Sequence, residues 1–268
     1  MDIRDYINKK IQVIDSALNR YLPSSNTRPG LIHRAMRYAV FPGGKRLRPI
    51  FTIAGFEACG GRGNKILPLA CAIELIHTYT LIHDDLPCMD NDDYRRGRLS
   101  CHKKFGEAIA VLAGDALLTL GFQLVSEAGN IDIIKELSQA IGSKGTIGGQ
   151  VEDVLCANKY KNQKDMDFII NRKTGELFRV AVKIGGMMSS APKSKIDSLD
   201  RFGRYIGFMF QLLDDLVDND GYVKVFGREL IKDKIVRLKR SASRELSVFG
   251  ENARYLLGLV DVIIDRSF

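Results

Sequence analysis

Apolar residues recur along this chain at the three-to-four residue spacing of a helix face almost from end to end, and alternating strand patterns are nearly absent. The pattern predicts helices over about 3–21, 28–40, 47–58, 66–85, 105–128, 131–156, 165–188, 194–218 and 224–248, with a last one near the C-terminus. Glycine and proline clusters at Pro42-Gly43-Gly44, Gly60-Gly61-Arg62-Gly63 and Gly185-Gly186 punctuate them. Ser194, three residues ahead of Asp197 and before an apolar-periodic run, reads as a capping box with Asp in place of Glu. The expectation is an all-α protein, a single domain over residues 1–268, long enough to bury one large core.

Two of these helices end in carboxylates. The first cluster reads His83-Asp84-Asp85-Leu86-Pro87-Cys88-Met89-Asp90, the second Gln211-Leu212-Leu213-Asp214-Asp215-Leu216-Val217-Asp218. Carboxylates that follow long apolar runs are costly to bury unless a positive charge sits among them. Hard oxygen ligands in two sets suit Mg²⁺, which keeps waters and substrate phosphates in its shell. Asp214 and Asp218 are four residues apart and share a helix face. Pro87 disfavours helical geometry at Leu86, so the first helix stops near Asp85 and the chain can fold Asp90 back toward Asp84.

Cations accompany both clusters. Gly43-Gly44-Lys45-Arg46-Leu47-Arg48-Pro49 sets three of them beside glycines that permit close approach of the backbone to an anion. Asp92-Asp93-Tyr94-Arg95-Arg96-Gly97-Arg98 follows the first cluster directly, and guanidinium groups bind phosphate through paired donors. The pattern points to a helical cavity that holds a diphosphate through magnesium.

Composition narrows the setting. The net charge of +8 reads as a solvated surface or as attraction for an anionic substrate. Nucleic acid fits less well, because zinc-ligand spacing, an RNP-like aromatic motif and a recognition helix are all missing. Five cysteines, odd in number and without a C-x-x-C pair, argue for a reducing compartment. Met1-Asp2-Ile3-Arg4-Asp5 lacks the pattern of a signal peptide. The most apolar stretch, 108–125, carries Asp115 and Gln123 with glycines nearby, so a buried helix is expected rather than a membrane span. These features predict a soluble, cytoplasmic protein.

Taken together, the Gly43–Pro49 and Leu81–Asp90 segments, Arg95-Arg96-Gly97, Lys173-Thr174-Gly175 and Phe210-Gln211-Leu212-Leu213-Asp214-Asp215 resemble the signature of trans-isoprenyl diphosphate synthases of the bacterial farnesyl/geranylgeranyl type. The first aspartate motif carries two extra residues. The match is collinear to about Asp218 and weakens beyond it, where the chain is shortened. The resemblance implies an isoprenoid-synthase helical bundle and Mg²⁺-dependent head-to-tail condensation of isopentenyl diphosphate with dimethylallyl and geranyl diphosphates. It implies farnesyl diphosphate as product, with geranylgeranyl diphosphate as the alternative, and a homodimer. By the same resemblance Asp84, Asp90 and Asp214 would ligate magnesium, supported by Asp85, Asp215 and Asp218. Arg95 and Lys173 would hold the allylic diphosphate, and Gly44, Lys45, Arg48, His77 and Arg96 isopentenyl diphosphate. Thr174 and Gln211 would face the carbocation with oxygen dipoles.

Tyr79 lies five residues before Asp84, roughly 7.5 Å deeper on a helix at about 1.5 Å per residue. With Thr80 it would set chain length. His83 and Asp115 read as structural. Beyond Asp218 the relatives' Gly-Lys-x-x-Gly-x-Asp loop is replaced by Gly227-Arg228-Glu229-Leu230-Ile231-Lys232-Asp233, which predicts helix in place of loop. Arg228 is expected to reach the allylic diphosphate in place of the lysine. Three rivals stand beside this reading. One is an HD-type metal phosphohydrolase using His33 and His83-Asp84, and another is a class I terpene cyclase. The third is a non-catalytic subunit of a heteromeric synthase.

Overall fold

The computed structural model describes residues 1–41, 44–156 and 162–265. Pro42 and Gly43, which belong to the expected Pro42-Gly43-Gly44 break and, for Gly43, to the basic motif, lie outside the described residues. Two compact units are delimited, one holding residues 2–50 and 67–129, the other 51–66 and 130–268.

The first unit contains α1 (Ile3–Tyr21), α2 (Gly30–Val40), the start of α3 (Leu47–Ala58), α4 (Leu67–Asp84), a two-stranded hairpin of β1 (Tyr94–Arg95) and β2 (Arg98–Leu99), α5 (Cys101–Phe105) and α6 (Glu107–Ser126). Asp2 starts α1 by accepting a hydrogen bond from the Arg4 amide. α4 is apolar on nearly every side and buries residues all round, from Leu69 and Ile73 to Tyr79 and Ile82, as befits a core helix. α6 packs on it through Ala110, Ala113, Leu117 and Leu124. Both helices are long and apolar enough to cross a membrane, but 72% of the α4 window lies inside the protein against 39% for α6. The stretch expected as a buried helix is thus buried on one side, with Val111 and Leu112 exposed on another.

The second unit contains α7 (Ile131–Ile141), α8 (Thr146–Cys156), α9 (Gln163–Ile169), a π-helical turn (Ile170–Gly175), α10 (Glu176–Met188), α11 (Lys193–Asp218), α12 (Tyr222–Phe226), α13 (Arg228–Glu245), a 3₁₀ segment (Leu246–Ala253) and α14 (Arg254–Asp265). Its core is built on α10 and α11, with Phe178 and Phe202 against Phe51 of α3 at ring-centre distances of 6.0 and 6.2 Å.

Three expected helices are interrupted. The 131–156 helix breaks at Gly142, which is extended at φ −69°, ψ −169°. The 165–188 helix widens into the π turn, and the 224–248 helix divides at Gly227, whose φ of +79° suits glycine. As expected, Arg228–Asp233 is helical. The capping box at Ser194 does not form, because α11 starts from Pro192 without a side-chain cap and Ser194 lies inside the helix.

Candidate active site

The first aspartate cluster belongs to the end of α4. The Leu86 amide bonds back to the His83 carbonyl at 3.2 Å, and the Asp90 amide reaches the Asp84 carbonyl at 2.9 Å. The chain therefore folds Asp90 toward Asp84, as Pro87 predicts. Asp84 keeps partial solvent access, whereas Asp85 is buried. Asp85 Oδ1 accepts from Arg95 Nε at 2.8 Å and from Arg95 Nη2, which also donates to Asp92 Oδ2 at 2.8 Å. Burial raises the Asp85 carboxyl above the usual range, and Arg95 counters only part of that. Asp85 is thus the anchor of Arg95.

Arg95 and Arg96 sit on a hairpin that the helical periodicity did not reveal. Tyr94 pairs with Leu99 and Arg95 with Arg98, leaving Arg96 and Gly97 as a two-residue turn with φ of +54° and +73°. Positive φ at both positions marks the tight turn whose twist matches paired strands. Tyr38 clamps this hairpin: its hydroxyl donates to the Leu99 carbonyl at 2.8 Å, and the Arg98 guanidinium stacks 4.1 Å from its ring centre. Gly44 makes room for Arg96, since a Cβ there would lie 2.7 Å from the guanidinium carbon.

The three cations of the basic motif part ways. Lys45 is exposed. Arg46 turns inward and is buried, donating to Asp15 at 2.9 Å, Glu74 at 2.6 Å and the Val40 carbonyl at 2.9 Å, so it holds the core. Arg48 Nη1 lies 3.3 Å from His77 Nε2. A guanidinium only donates, so that ring nitrogen is the bare acceptor and the proton sits on Nδ1. Burial and then Arg48 hold the His77 pKa well below the ordinary value, which agrees.

The second cluster repeats the division of labour seen in the first. Asp214 is half-buried and Asp218 exposed, while Asp215 is buried. Asp215 accepts from Gln211 Nε2 at 3.0 Å and from the Tyr222 amide at 3.0 Å, and burial raises its pKa. In both clusters, then, the second aspartate is buried and held by protein donors. Gln211 Oε1 accepts from the Thr174 hydroxyl at 2.9 Å, giving a chain from Thr174 through Gln211 and Asp215 to Tyr222. Thr174 and Lys173 occupy the π turn, a device that re-aims side chains and concentrates at functional sites. That turn presses on α11 at glycine, because a Cβ on Gly207 would meet the Gly175 Cα at 2.6 Å.

Lys173 Nζ donates to Asp153 Oδ2 at 2.7 Å. Asp153 and Gln150, whose Nε2 is buried without a hydrogen-bond partner, were not singled out from sequence. The Gly148-Gly149 pair ahead of them was the available signal, for at Gly149 the helix runs against Lys173 and a Cβ would lie 2.2 Å from its amide nitrogen.

Tyr79 is buried against the edge of His83, at 5.6 Å between ring centres, and burial and then Asp84 push its phenol up to about 12. The Thr80 hydroxyl donates to the His77 carbonyl at 2.8 Å. His83 Nε2 lies 3.1 Å from the Val111 carbonyl and 3.9 Å from Asp115, as a structural histidine would. His33 engages the Thr27 carbonyl at 2.9 Å. Arg228 Nη1 donates to the Leu216 carbonyl at 3.0 Å and to Asn219 at 3.3 Å, capping the end of α11. Lys224 pairs with Asp220 and Lys232 with Glu229.

Among the described residues, no three His, Cys, Asp or Glu side chains converge to hold a metal unaided. One or two hard oxygens per cluster fit Mg²⁺, which completes its shell with waters and phosphate oxygens rather than an all-protein cage.

Each unit by itself pairs carboxylates at a helix end with a cation fixed by a neighbouring acid, chemistry suited to a diphosphate held through a hard cation. Residues 29–241 match the polyprenyl synthetase family, to which the chain belongs. It is 37% identical to geranylgeranyl pyrophosphate synthase 4 of Arabidopsis thaliana, over 99% of this chain and 78% of that protein. It is also 37% identical to the farnesyl diphosphate synthase of Geobacillus stearothermophilus, over 87% of this chain and 81% of that one. A crystal structure of an FPP/GFPP synthase from Zymomonas mobilis superposes with a TM-score of 0.92 at 36% identity, covering 98% of each chain. The protein is a prenyltransferase with the helical bundle of the isoprenyl diphosphate synthases. That removes the phosphohydrolase and terpene cyclase readings.

Proposed function

We propose that this prenyltransferase joins isopentenyl diphosphate head-to-tail to dimethylallyl and then geranyl diphosphate, with farnesyl diphosphate as main product and geranylgeranyl diphosphate as the alternative. Both product classes occur in the names of the relatives. The observation that carries the reading is the repeated pair: in each cluster the leading aspartate keeps solvent access while the second is anchored by protein donors.

Asp84, Asp90 and Asp214 would hold Mg²⁺; Asp218, expected as a supporting group, is exposed one turn from Asp214 and joins them, with Asp85 and Asp215 supporting. The bound metal supplies neutralisation of the leaving diphosphate. Arg95, presented by Asp85, and Lys173, presented by Asp153, bind the allylic diphosphate. Lys45, Arg48, His77 and Arg96 bind isopentenyl diphosphate, with Gly44 giving Arg96 its room. The Thr174 and Gln211 oxygens face the carbon that becomes positive as its bond to oxygen breaks. The double bond of isopentenyl diphosphate then forms the new carbon–carbon bond, and the released diphosphate takes the proton.

The whole of residues 1–268 acts as one functional unit in this reading, in the cytoplasm, where five free thiols are at home. A homodimer is supported by the exposed apolar residues Val111 and Leu112 of α6 and by Ile147, Val151, Val154 and Leu155 of α8.

Incubation of the purified chain with Mg²⁺, isopentenyl diphosphate and each allylic diphosphate, followed by identification of the products, tests the proposal. Asp84→Ala and Asp214→Ala should each lose orders of magnitude in turnover. A chain that turns over only when mixed with a second subunit would make it a non-catalytic partner instead.

A further inference from the structure

Lys234 lies on α13, beyond the second aspartate cluster and inside the stretch that matches the family, and none of the substrate roles above falls to it. Its half-buried ammonium stands 4.4 Å from the ring centre of Phe208 and 4.6 Å from that of Tyr222. It is also 3.2 Å from Asp167 Oδ1 and 3.4 Å from the Tyr222 hydroxyl. The same hydroxyl donates to Asp167 Oδ1. A cation between two aromatic faces and a carboxylate is fixed by attraction from every side. Helices α9, α12 and α13 meet at this one charge, and α11 supplies Phe208.

The other end of Tyr222 touches the second aspartate cluster. Its amide donates to Asp215 Oδ2 at 3.0 Å. Gly221 just before it has a φ of +51°, and a Cβ there would lie 2.6 Å from the Asp215 carboxylate, so the turn fits closely round that group. The residue locked by Lys234 and Asp167 through its ring is therefore the residue that caps Asp215 through its backbone. On the far side, the Asp167 carbonyl accepts from Asn171 Nδ2 at 2.7 Å, inside the π turn that carries Lys173 and Thr174.

We propose that Lys234 is a positioning residue for the second aspartate cluster: by locking Tyr222 it fixes Asp215 and the turn after α11, and so holds Asp214 and Asp218 in the orientation that metal–diphosphate binding needs. This rests on Asp214 and Asp218 being magnesium ligands. The region after Asp218 thereby supplies a lysine to the site through packing rather than through contact with substrate.

The test uses Mn²⁺ as a spectroscopic stand-in for Mg²⁺, titrated into the full chain with inorganic diphosphate and followed by electron paramagnetic resonance. Lys234→Met, which keeps the stem and removes the charge, should weaken Mn²⁺–diphosphate binding at least fivefold while the KM for isopentenyl diphosphate stays within twofold. Lys234→Arg should recover most of the loss, and Tyr222→Phe should fall between. Binding by Lys234→Met within twofold of the parent overturns the proposal. If that variant does not fold, Tyr222→Phe decides, since it loses a single hydroxyl, and unchanged binding there overturns the proposal equally. Asp214→Ala separates the two layers. Unchanged binding in Asp214→Ala rejects the ligand role of the cluster, whereas weak binding there with normal binding in Lys234→Met rejects the role of Lys234 alone.

Discussion

Arg95 directs two of its nitrogens at a single oxygen of Asp85, and that pair sets Asp85 apart from the two accessible aspartates of the first cluster. Asp84 and Asp90 are joined through their backbones and stay accessible, while Asp85 is buried as the acceptor that sets the guanidinium. An arginine held on one edge can still present its other donors to a phosphate.

The two aspartates of the first cluster should therefore fail in different ways. Asp85→Asn should raise the KM for the allylic diphosphate roughly tenfold, in line with ~1.5–3 kcal/mol for a charge-assisted hydrogen bond, and change the Mg²⁺ requirement little. Asp84→Ala should shift the Mg²⁺ requirement instead. Steady-state kinetics at several metal concentrations separate the two, and identical patterns in both variants would remove the distinction.

Tyr79 carries the prediction about product length. Its ring is buried, packs on His83, and lies five residues before Asp84 on α4. Tyr79→Ala should lengthen the main product by at least one five-carbon unit. Chromatography of the dephosphorylated products reads the outcome, and an unchanged distribution would remove Tyr79 from the control of chain length.

Arg228 can be tested for two uses. As a cap on the Leu216 carbonyl it should contribute only ~0.3–1 kcal/mol, the range for a cation at an exposed helix C-terminus. Arg228→Ala should then lower Tm by a few degrees at most and leave kcat/KM within about threefold. A tenfold or larger loss of kcat/KM for the allylic substrate would instead give Arg228 the contact with the allylic diphosphate that the sequence led us to expect.

Acid stability should depend on a cluster of charges distinct from both aspartate motifs. Arg179 is buried and bonds to Glu136 at 2.6 Å, Asp200 at 2.6 Å and Glu176 at 2.7 Å, and Lys183 adds a bond to Glu136 at 2.7 Å. Burial alone would raise Glu136 and Asp200, but the hydrogen bonds and charges of Arg179 and Lys183 leave both below the usual carboxylate range. A carboxyl lowered in the folded state contributes stability above its unfolded pKa of about 4 and loses it as pH falls through the folded value. Tm should drop steeply below about pH 4, and a Glu136→Gln, Asp200→Asn double variant should be less stable at pH 7 with a flatter acid slope. An unchanged slope would place the acid-sensitive groups elsewhere.

The sequence by itself determined the helical class, because an apolar repeat of three to four residues has one compact solution: a helix with a buried stripe. It determined the two aspartate clusters and the fold-back of Asp90, since Pro87 stops α4 through local sterics. Tertiary structure decided what periodicity cannot carry. The π turn at Ile170–Gly175 and the hairpin at Tyr94–Leu99 depend on long-range packing and on a two-residue turn, both invisible to a helical repeat. The fates of neighbouring charges were decided there too. Arg46 and Arg48 stand two residues apart in one basic motif, yet one is buried against Asp15 and Glu74 while the other meets His77. A charge in a sequence has no direction until the fold gives it a partner, and desolvation then decides which partners must be found.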